Sequence, residues 1–267
     1  MRVLRIGVSI LRHIVHRAVA ITRERGVRGL VASARNALPH YVYRLTLVLP
    51  YTLYLRSEES PYALALLRSY LRVYQLFCSF EFYLEDPVSL THVDPSDITG
   101  DSPNRPPIFW GSIRGGTWDL RASAFDDRPV PRAIRLHYEE GVPWEDTPLR
   151  PYFAEAVESG GSWGYDSADS FHQRVEDIES LVESMETDGY KTRREQSAAE
   201  RTEPLPLALD EVTVDIGRDG EYMYRNLGQH RIAVAKLLDL DEIPVRIGTR
   251  HPEYVRRMNG TPETPGG

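Results

Sequence analysis

One segment, residues 211–247, constrains the fold most, because two strands, a helix and a third strand follow one another there with almost no spare residues. Apolar and polar residues alternate in EVTVDIG, the letters RDG supply a turn, and EYMYRN supplies the second strand. This pattern predicts a β-hairpin. A helix over about 229–239 and a strand over 243–247 complete the unit.

The start of that helix carries an unusual polar set: Gly228, Gln229, His230 and Arg231. The first turn of a helix has unpaired N–H groups and the positive end of the helix dipole, and a glycine before it lets an anion come close. The arginine could grip phosphate oxygens, and Gln229 and His230 could donate further hydrogen bonds. The motif therefore predicts a phosphate site. The alternative is structural: Arg231 pairs with a carboxylate such as Asp215, the histidine lies in the core and the glutamine caps the helix.

Upstream of this segment, the body mixes short strands, turns and helices. It begins near Pro87 and continues with THVDPSDITG, which indicates loop and short strand. Residues 130–157 show a helical pattern that prolines interrupt. Ser170 and Gln173 have the spacing of a capping box, and the helix that follows is expected to end at Gly189. Together these elements predict an α+β fold.

Charge divides the chain into two parts. Residues 1–56 carry ten arginines and one acid, a net charge of +9, so the remaining residues sum to −16. A basic helix followed by aromatic, apolar helices could lie on an anionic membrane surface. The alternative is a helical extension that packs on the main domain or on a partner chain. Spanning helices are not expected, because residues 42–55 are too few and charges interrupt residues 62–84.

The predicted organisation has an extension, a domain and a tail. These are a helical extension over 1–86, the α+β domain over 87–258 with a surface loop at 191–208, and an unfolded tail over 259–267. Residues 1–84 are the part expected to meet an anionic membrane or a protein partner. Cys78 is the only cysteine, which excludes an internal disulfide, and no secretory signal is recognisable. The expected location is cytoplasmic, and peripheral to the membrane if the extension binds lipid.

A family resemblance adds to these patterns. The helix VEDIESLVESMETDGY, the hairpin and GQHRIAVAKLLDLDEIPVRI follow one another from about Arg174 to Ile247. This arrangement resembles the ParB/sulfiredoxin fold, with its G-x-[HR]-R motif, alanine-rich helix and IPV strand in a small mixed sheet packed with helices. Upstream, LTHVDPSDI is similar to the family's opening strand and turn. The resemblance implies a nucleotide, ATP, ADP or CTP with Mg²⁺, whose phosphate is held at Gly228, Gln229, His230 and Arg231.

Two departures from the family narrow the implied activity. Sulfiredoxins carry a cysteine where Gln229 stands here, which argues against reduction of sulfinic acids. Partitioning members continue into a helix-turn-helix, whereas this sequence ends in RRMNGTPETPGG and its acidic body would repel DNA. The resemblance therefore implies a phosphotransferase or nucleotide hydrolase with an unidentified small-molecule acceptor. The alternatives are a non-catalytic binding module and, with less support, a ParB-like DNA-binding or nuclease protein.

Three aspartates in predicted turns are the candidate catalytic residues: Asp94, Asp97 and Asp119. A kinase-like reaction needs a base for the acceptor hydroxyl and usually Mg²⁺ to offset phosphate charge. The third aspartate follows Trp118 just after a glycine pair, where the backbone can approach a ligand. The alternative for each is a role as a turn or capping residue. No metal site made by protein side chains is predicted.

Overall fold

The computed structural model of the protein describes residues 60–77, 79–85, 87, 90–101, 110–120, 123–158, 170–192, 195–196, 211–225 and 228–260. The chain divides into two compact units, Met1–Leu67 and Arg68–Gly267. The domain boundary near Pro87 stays a prediction. The arginine-rich region 1–56, Cys78 and most of the predicted loop and tail lie outside the described residues.

The described residues contain six α-helices. They are α1 (Pro61–Gln75), α2 (Pro129–Glu140), α3 (Leu149–Glu158), α4 (Phe171–Asp188), α5 (Gln229–Leu237) and α6 (Pro252–Met258). Short 3-10 helices occupy Pro95–Asp97, Phe125–Asp127 and Trp144–Asp146. None of the helices in these stretches combines the length and the hydropathy needed to cross a membrane.

Eight strands form one mixed sheet. They are β1 (Glu81–Phe82), β2 (Leu90–Val93), β3 (Ile98–Asp101), β4 (Ser112–Ile113), β5 (Ser123–Ala124), β6 (Thr213–Ile216), β7 (Tyr222–Tyr224) and β8 (Ile243–Arg250). The strand order is β1-β4-β8-β6-β7-β3-β5, and β2 also pairs with β8. Strands β6 and β7 form the antiparallel hairpin, β8 lies parallel to β6, and β3 lies parallel to β7.

Alternation along the strands gives the sheet an apolar face and a polar face. Val214, Ile216 and Ile247 belong to the hydrophobic core, together with apolar residues of helices α2 to α5. Helix α5 lies in this layer and contacts both α2 and α4. Thr213 and Asp215, which alternate with the core residues of β6, are also buried but point to the opposite face.

A buried ion pair ties the three central strands together. Arg225 Nη1 donates to Asp215 Oδ1 at 2.6 Å and to Thr249 Oγ1 at 3.0 Å, and the Thr249 backbone N–H donates to Asp215 Oδ1 at 2.7 Å. A Cβ at Gly248 would lie only 2.6 Å from Asp215 Oδ1, so a glycine makes room for this pair. Asp215 is thus engaged by Arg225, and not by Arg231 as the structural alternative supposed.

The local elements predicted from sequence are confirmed, with one correction. The hairpin, helix and strand of residues 211–247 are β6, β7, α5 and β8, and the helix after Ser170 ends at Gly189. The predicted capping box is wrong, because Ser170 has φ −75° and ψ 8°, outside the extended conformation of such a cap, and its side chain makes no capping hydrogen bond. The α+β class with a mixed sheet packed against helices is confirmed in this general form.

Candidate functional site

Gly228 sets the geometry at the start of α5. It precedes the first helical residue with φ +85°, a left-handed conformation that favours glycine. A Cβ at this position would lie 2.5 Å from Val212 Cγ2 and 3.1 Å from Val212 Cα. Glycine is therefore required here both by the backbone conformation and by the close approach of the segment that enters β6.

Arg231 points into the protein and binds an acid there. Its Nη1 forms a buried ion pair with Glu211 and donates to the Tyr190 hydroxyl at 3.1 Å. The same hydroxyl donates to Glu211 Oε1 at 2.7 Å, and burial raises the pKa of Tyr190. The predicted phosphate-gripping guanidinium is thus already engaged by a carboxylate, although that carboxylate is Glu211 and not Asp215.

His230 is held neutral beside a second arginine. Arg174 Nη2, from α4, lies 3.1 Å from His230 Nδ1 and also contacts Nε2. Burial, followed by the positive charges of Arg174 and Arg231, lowers the pKa of His230 well below its usual 6.5. A neutral imidazole can accept a hydrogen bond from the guanidinium.

A third arginine reaches the first residue of α5. Arg128 Nη2 donates to Gln229 Oε1 at 3.4 Å, and Nη1 forms an ion pair with Asp101. Its guanidinium also lies 4.8 Å from the ring centre of Tyr224. Arg128 immediately precedes Pro129, which occupies the first turn of α2, so the start of α2 directs this side chain toward the start of α5.

Charged side chains from separate parts of the chain gather around the first turn of α5. Three arginines, Arg128, Arg174 and Arg231, meet two acids, Asp101 and Glu211. The lowered pKa of the neighbouring histidine keeps that side chain uncharged near neutral pH. The helix N-terminus adds roughly half a positive charge. The arrangement therefore favours the approach of an anion.

Asp94 lies beside the far half of α5. It is exposed and accepts a hydrogen bond from the Ser96 backbone N–H at 2.7 Å, and the hydrogen bonds from Ser96 lower its pKa. The positive charge of Lys236 acts on it as well. Lys236 is about 10 Å along the helix axis from Gln229. Asp94 is therefore a capping residue, and the structure does not bring it to the phosphate motif.

Asp97 ends the 3-10 helix Pro95–Asp97, which contacts α5, and Asp119 lies beside the hairpin turn. Asp97 acts electrostatically on Tyr222, the first residue of β7, whereas the chain enters α5 after the last one, Tyr224. Asp119 accepts hydrogen bonds from Arg218, in the hairpin turn, at 2.8 Å from the backbone N–H and 2.9 Å from Nε. Burial opposes ionisation of Asp119, but the bonds from Arg218 outweigh it and lower the pKa. No hydrogen bond or ion pair among the described residues joins the three predicted catalytic aspartates to the motif.

Sequence reasoning missed four residues that contact the motif and a fifth, Asp101, that reaches it through Arg128. The four are Arg128, Arg174, Tyr190 and Glu211. Asp101 ends β3, and the parallel pairing of β3 with β7 carries it to this place. Arg128 had a local signal, because it stands directly before a helix-starting proline. The other contacts arise from packing between distant segments, for which no local pattern exists.

Metal binding by the protein alone has no support in the described stretches. No group of three or more His, Cys, Asp or Glu side chains there could hold a metal ion. A nucleotide-bound Mg²⁺ needs less from the protein, because it takes most of its ligands from phosphate oxygens and water, with one or two carboxylates.

Comparison with known proteins adds no assignment to this geometry, because no family model, no curated protein and no solved structure matches the chain. The resemblance to the ParB/sulfiredoxin fold therefore stays a prediction. The contacts around the start of α5 are the observations from which a function can be argued.

Proposed function

We propose that this chain binds a nucleotide through its phosphates at the start of α5 and transfers or hydrolyses phosphate. One observation carries the proposal: Arg128 and Arg174, from separate parts of the chain, converge on the side chains of Gln229 and His230. Guanidinium groups and helix N-termini are both common phosphate-binding groups. Here they lie at one place.

By binding phosphate, Arg174 would exchange its contact with the imidazole for a contact with a charged group. In the described state it contacts His230, which is neutral because its pKa is lowered. A hydrogen bond between a guanidinium and a phosphate oxygen has charge on both sides and is stronger than one to a neutral acceptor. A phosphate is therefore expected to draw Arg174 away from the imidazole.

Arg231 has a supporting part in this proposal. Its ion pair with Glu211 joins α5 to the residue just before β6, and its charge adds to the positive potential at the helix start. Gly228, Gln229 and His230 would then contact the ligand, while Arg231 acts as a positioning residue. The resemblance to the ParB/sulfiredoxin motif supports the same four residues.

The reaction would also need a base for the acceptor. Asp101 is a carboxylate at the site itself, where Arg128 holds it. Within the proposal, Arg128 moves toward the phosphate and Asp101 accepts the proton of the acceptor hydroxyl. Mg²⁺ would neutralise phosphate charge when bound with the nucleotide.

Isothermal titration of the full chain with ATP, ADP and CTP, each with Mg²⁺, tests the binding step. We expect at least one nucleotide to bind, and Arg174→Ala to weaken its affinity about tenfold or more, since a charged hydrogen bond contributes about 1.5–3 kcal/mol. Arg135→Ala is the matched control, because this arginine of α2 is about half exposed and pairs with Glu140 at 2.8 Å.

The outcomes separate binding from catalysis. If none of the three nucleotides binds, or if Arg135→Ala weakens binding as much as Arg174→Ala, the site is wrong. Release of inorganic phosphate from the bound nucleotide, with and without candidate acceptors, measures turnover. Binding without turnover would remove the catalytic half of the proposal and leave a non-catalytic binding module.

A further inference from the structure

The end of α1 and the turn after it expose large apolar side chains. Val73, Leu76 and Phe77 are 59%, 81% and 82% exposed, whereas Leu71 of the same helix is 1% exposed. We call the three exposed residues the apolar surface of α1. This part of the helix therefore has one side built into the protein and another that presents apolar groups to solvent.

Such a cluster differs from the isolated apolar residues that any protein surface carries. Leu120 and Met258 are also exposed, but each stands alone among polar neighbours in the sequence. Three large apolar groups within five consecutive residues are instead typical of a surface that contacts a membrane or another protein.

The charges on helix α1 itself are positive. Helix α1 contains Arg68 and Arg72 and no acid. Arg68 Nε donates to the Leu84 carbonyl at 2.7 Å, so this guanidinium is used within the protein, while Arg72 is exposed beside Val73. Residues 1–56 carry a net charge of +9, and Glu58 and Glu59 stand between them and α1 in the sequence.

We propose that the apolar surface of α1 docks on an anionic lipid membrane. Aliphatic and aromatic side chains would enter the boundary between headgroups and acyl chains, with Arg72 at the lipid phosphates. The arginines of residues 1–56 would add attraction to the charged headgroups. A second copy of the chain complements the surface less well, because a symmetric contact through it would bring the two copies of Arg72 close together.

Sedimentation of the full chain with vesicles tests this docking. The probes are vesicles of phosphatidylcholine alone and of phosphatidylcholine mixed with phosphatidylglycerol. We expect binding to the anionic vesicles, a loss of about tenfold or more in Leu76→Ser/Phe77→Ser, and no change in Leu120→Ser, which removes a 58% exposed leucine elsewhere. Circular dichroism of each variant checks that the fold is retained.

A second measurement does not depend on loss of binding. In Phe77→Trp, tryptophan emission should shift to the blue when anionic vesicles are added, because the indole enters a less polar layer. Three results would overturn the proposal: unchanged vesicle binding by the double serine variant, equal binding to neutral vesicles, or a dimer in light scattering that the double variant dissociates. Nucleotide binding is not needed for any of these outcomes, so the two proposals stand or fall separately.

Discussion

The ion pair of Arg231 and Glu211 is almost completely removed from solvent, with side-chain exposures of 6% and 3%. The Tyr190 hydroxyl contacts both partners, so each charge has a second polar neighbour. Burying two charges costs solvation free energy that their attraction only partly returns, but removing one partner leaves the other charge uncompensated. Arg231, which the sequence predicts to bind phosphate, therefore contributes mainly to the stability of the fold.

Arg231→Ala should reduce the free energy of unfolding by about 3–5 kcal/mol, because Glu211 would remain buried without its counter-charge. Urea denaturation measures the loss. Arg135→Ala removes a half-exposed partner of Glu140 and should change stability by less than about 1 kcal/mol. A loss of the same small size in Arg231→Ala would mean that the pair is not buried as described.

The pKa of His230 predicts the acid side of the stability profile. Burial and then the charges of Arg174 and Arg231 lower the pKa well below 6.5, so near that pH the unfolded chain takes up a proton that the folded chain does not. This contribution is complete above the unfolded pKa and is lost as the pH falls below it. The free energy of unfolding should decrease by about 1.4 kcal/mol per pH unit from this group.

Urea denaturation of the wild type and of His230→Gln at about pH 7.5 and about pH 5.5 measures this contribution. The glutamine variant should show a smaller loss on acidification, since position 230 then carries no group that titrates in this window. An equal loss in both proteins would assign the acid sensitivity to other groups.

At the scale of elements, the start of α5 is tightly constrained by the segment that enters β6. Gly228 combines a left-handed φ of +85° with a contact that leaves no room for a Cβ beside Val212. Gly141, which ends α2, has a similar φ of +71° but nothing within 4 Å of the position of a Cβ. Alanine variants of the two glycines therefore distinguish the cost of the left-handed backbone from the cost of steric overlap.

Gly228→Ala should destabilise the protein by about 2–5 kcal/mol, of which about 1–2 kcal/mol comes from the left-handed backbone and the rest from overpacking against Val212. Gly141→Ala should cost only the first of these, about 1–2 kcal/mol. Thermal or urea unfolding of both variants measures the difference. Equal losses would show that the approach of Val212 is less tight than its 2.5 Å contact indicates.

At the scale of the whole molecule, opposite charge is separated along the chain. Residues 1–56 carry +9 and the rest of the chain carries −16, so the two parts respond differently to added salt. Charges at an exposed surface are screened within about 10 Å at 0.1 M salt, whereas partly buried groups are screened much less. The arginines at the start of α5 belong to the second class, since the side chain of Arg128 is only 21% exposed.

Raising the salt from about 0.1 M to about 1 M should therefore weaken vesicle binding steeply and nucleotide binding much less. Vesicle sedimentation and isothermal titration of the same full chain provide the two curves. Parallel curves would indicate that both ligands use exposed charge, which would contradict a partly enclosed site at α5.

The sequence by itself determined the local elements of this protein. Alternating apolar residues predicted β6, the turn letters RDG predicted the hairpin, and the run after Gly228 predicted α5, because each signal lies within a few neighbouring residues. The α+β class followed from those elements. The region 1–56 contributed charge to the argument, although it lies outside the described residues.

Only the tertiary structure decided which residues meet. It paired Arg231 with Glu211, placed Arg174 on His230 and brought Asp101 to the start of α5 in place of the predicted aspartates. These contacts depend on the parallel pairing of β3 with β7 and on the packing of α2 and α4 against α5. Residues far apart in the chain meet only when the whole sheet and its helices have formed. These contacts therefore cannot be predicted from periodicity or from local motifs.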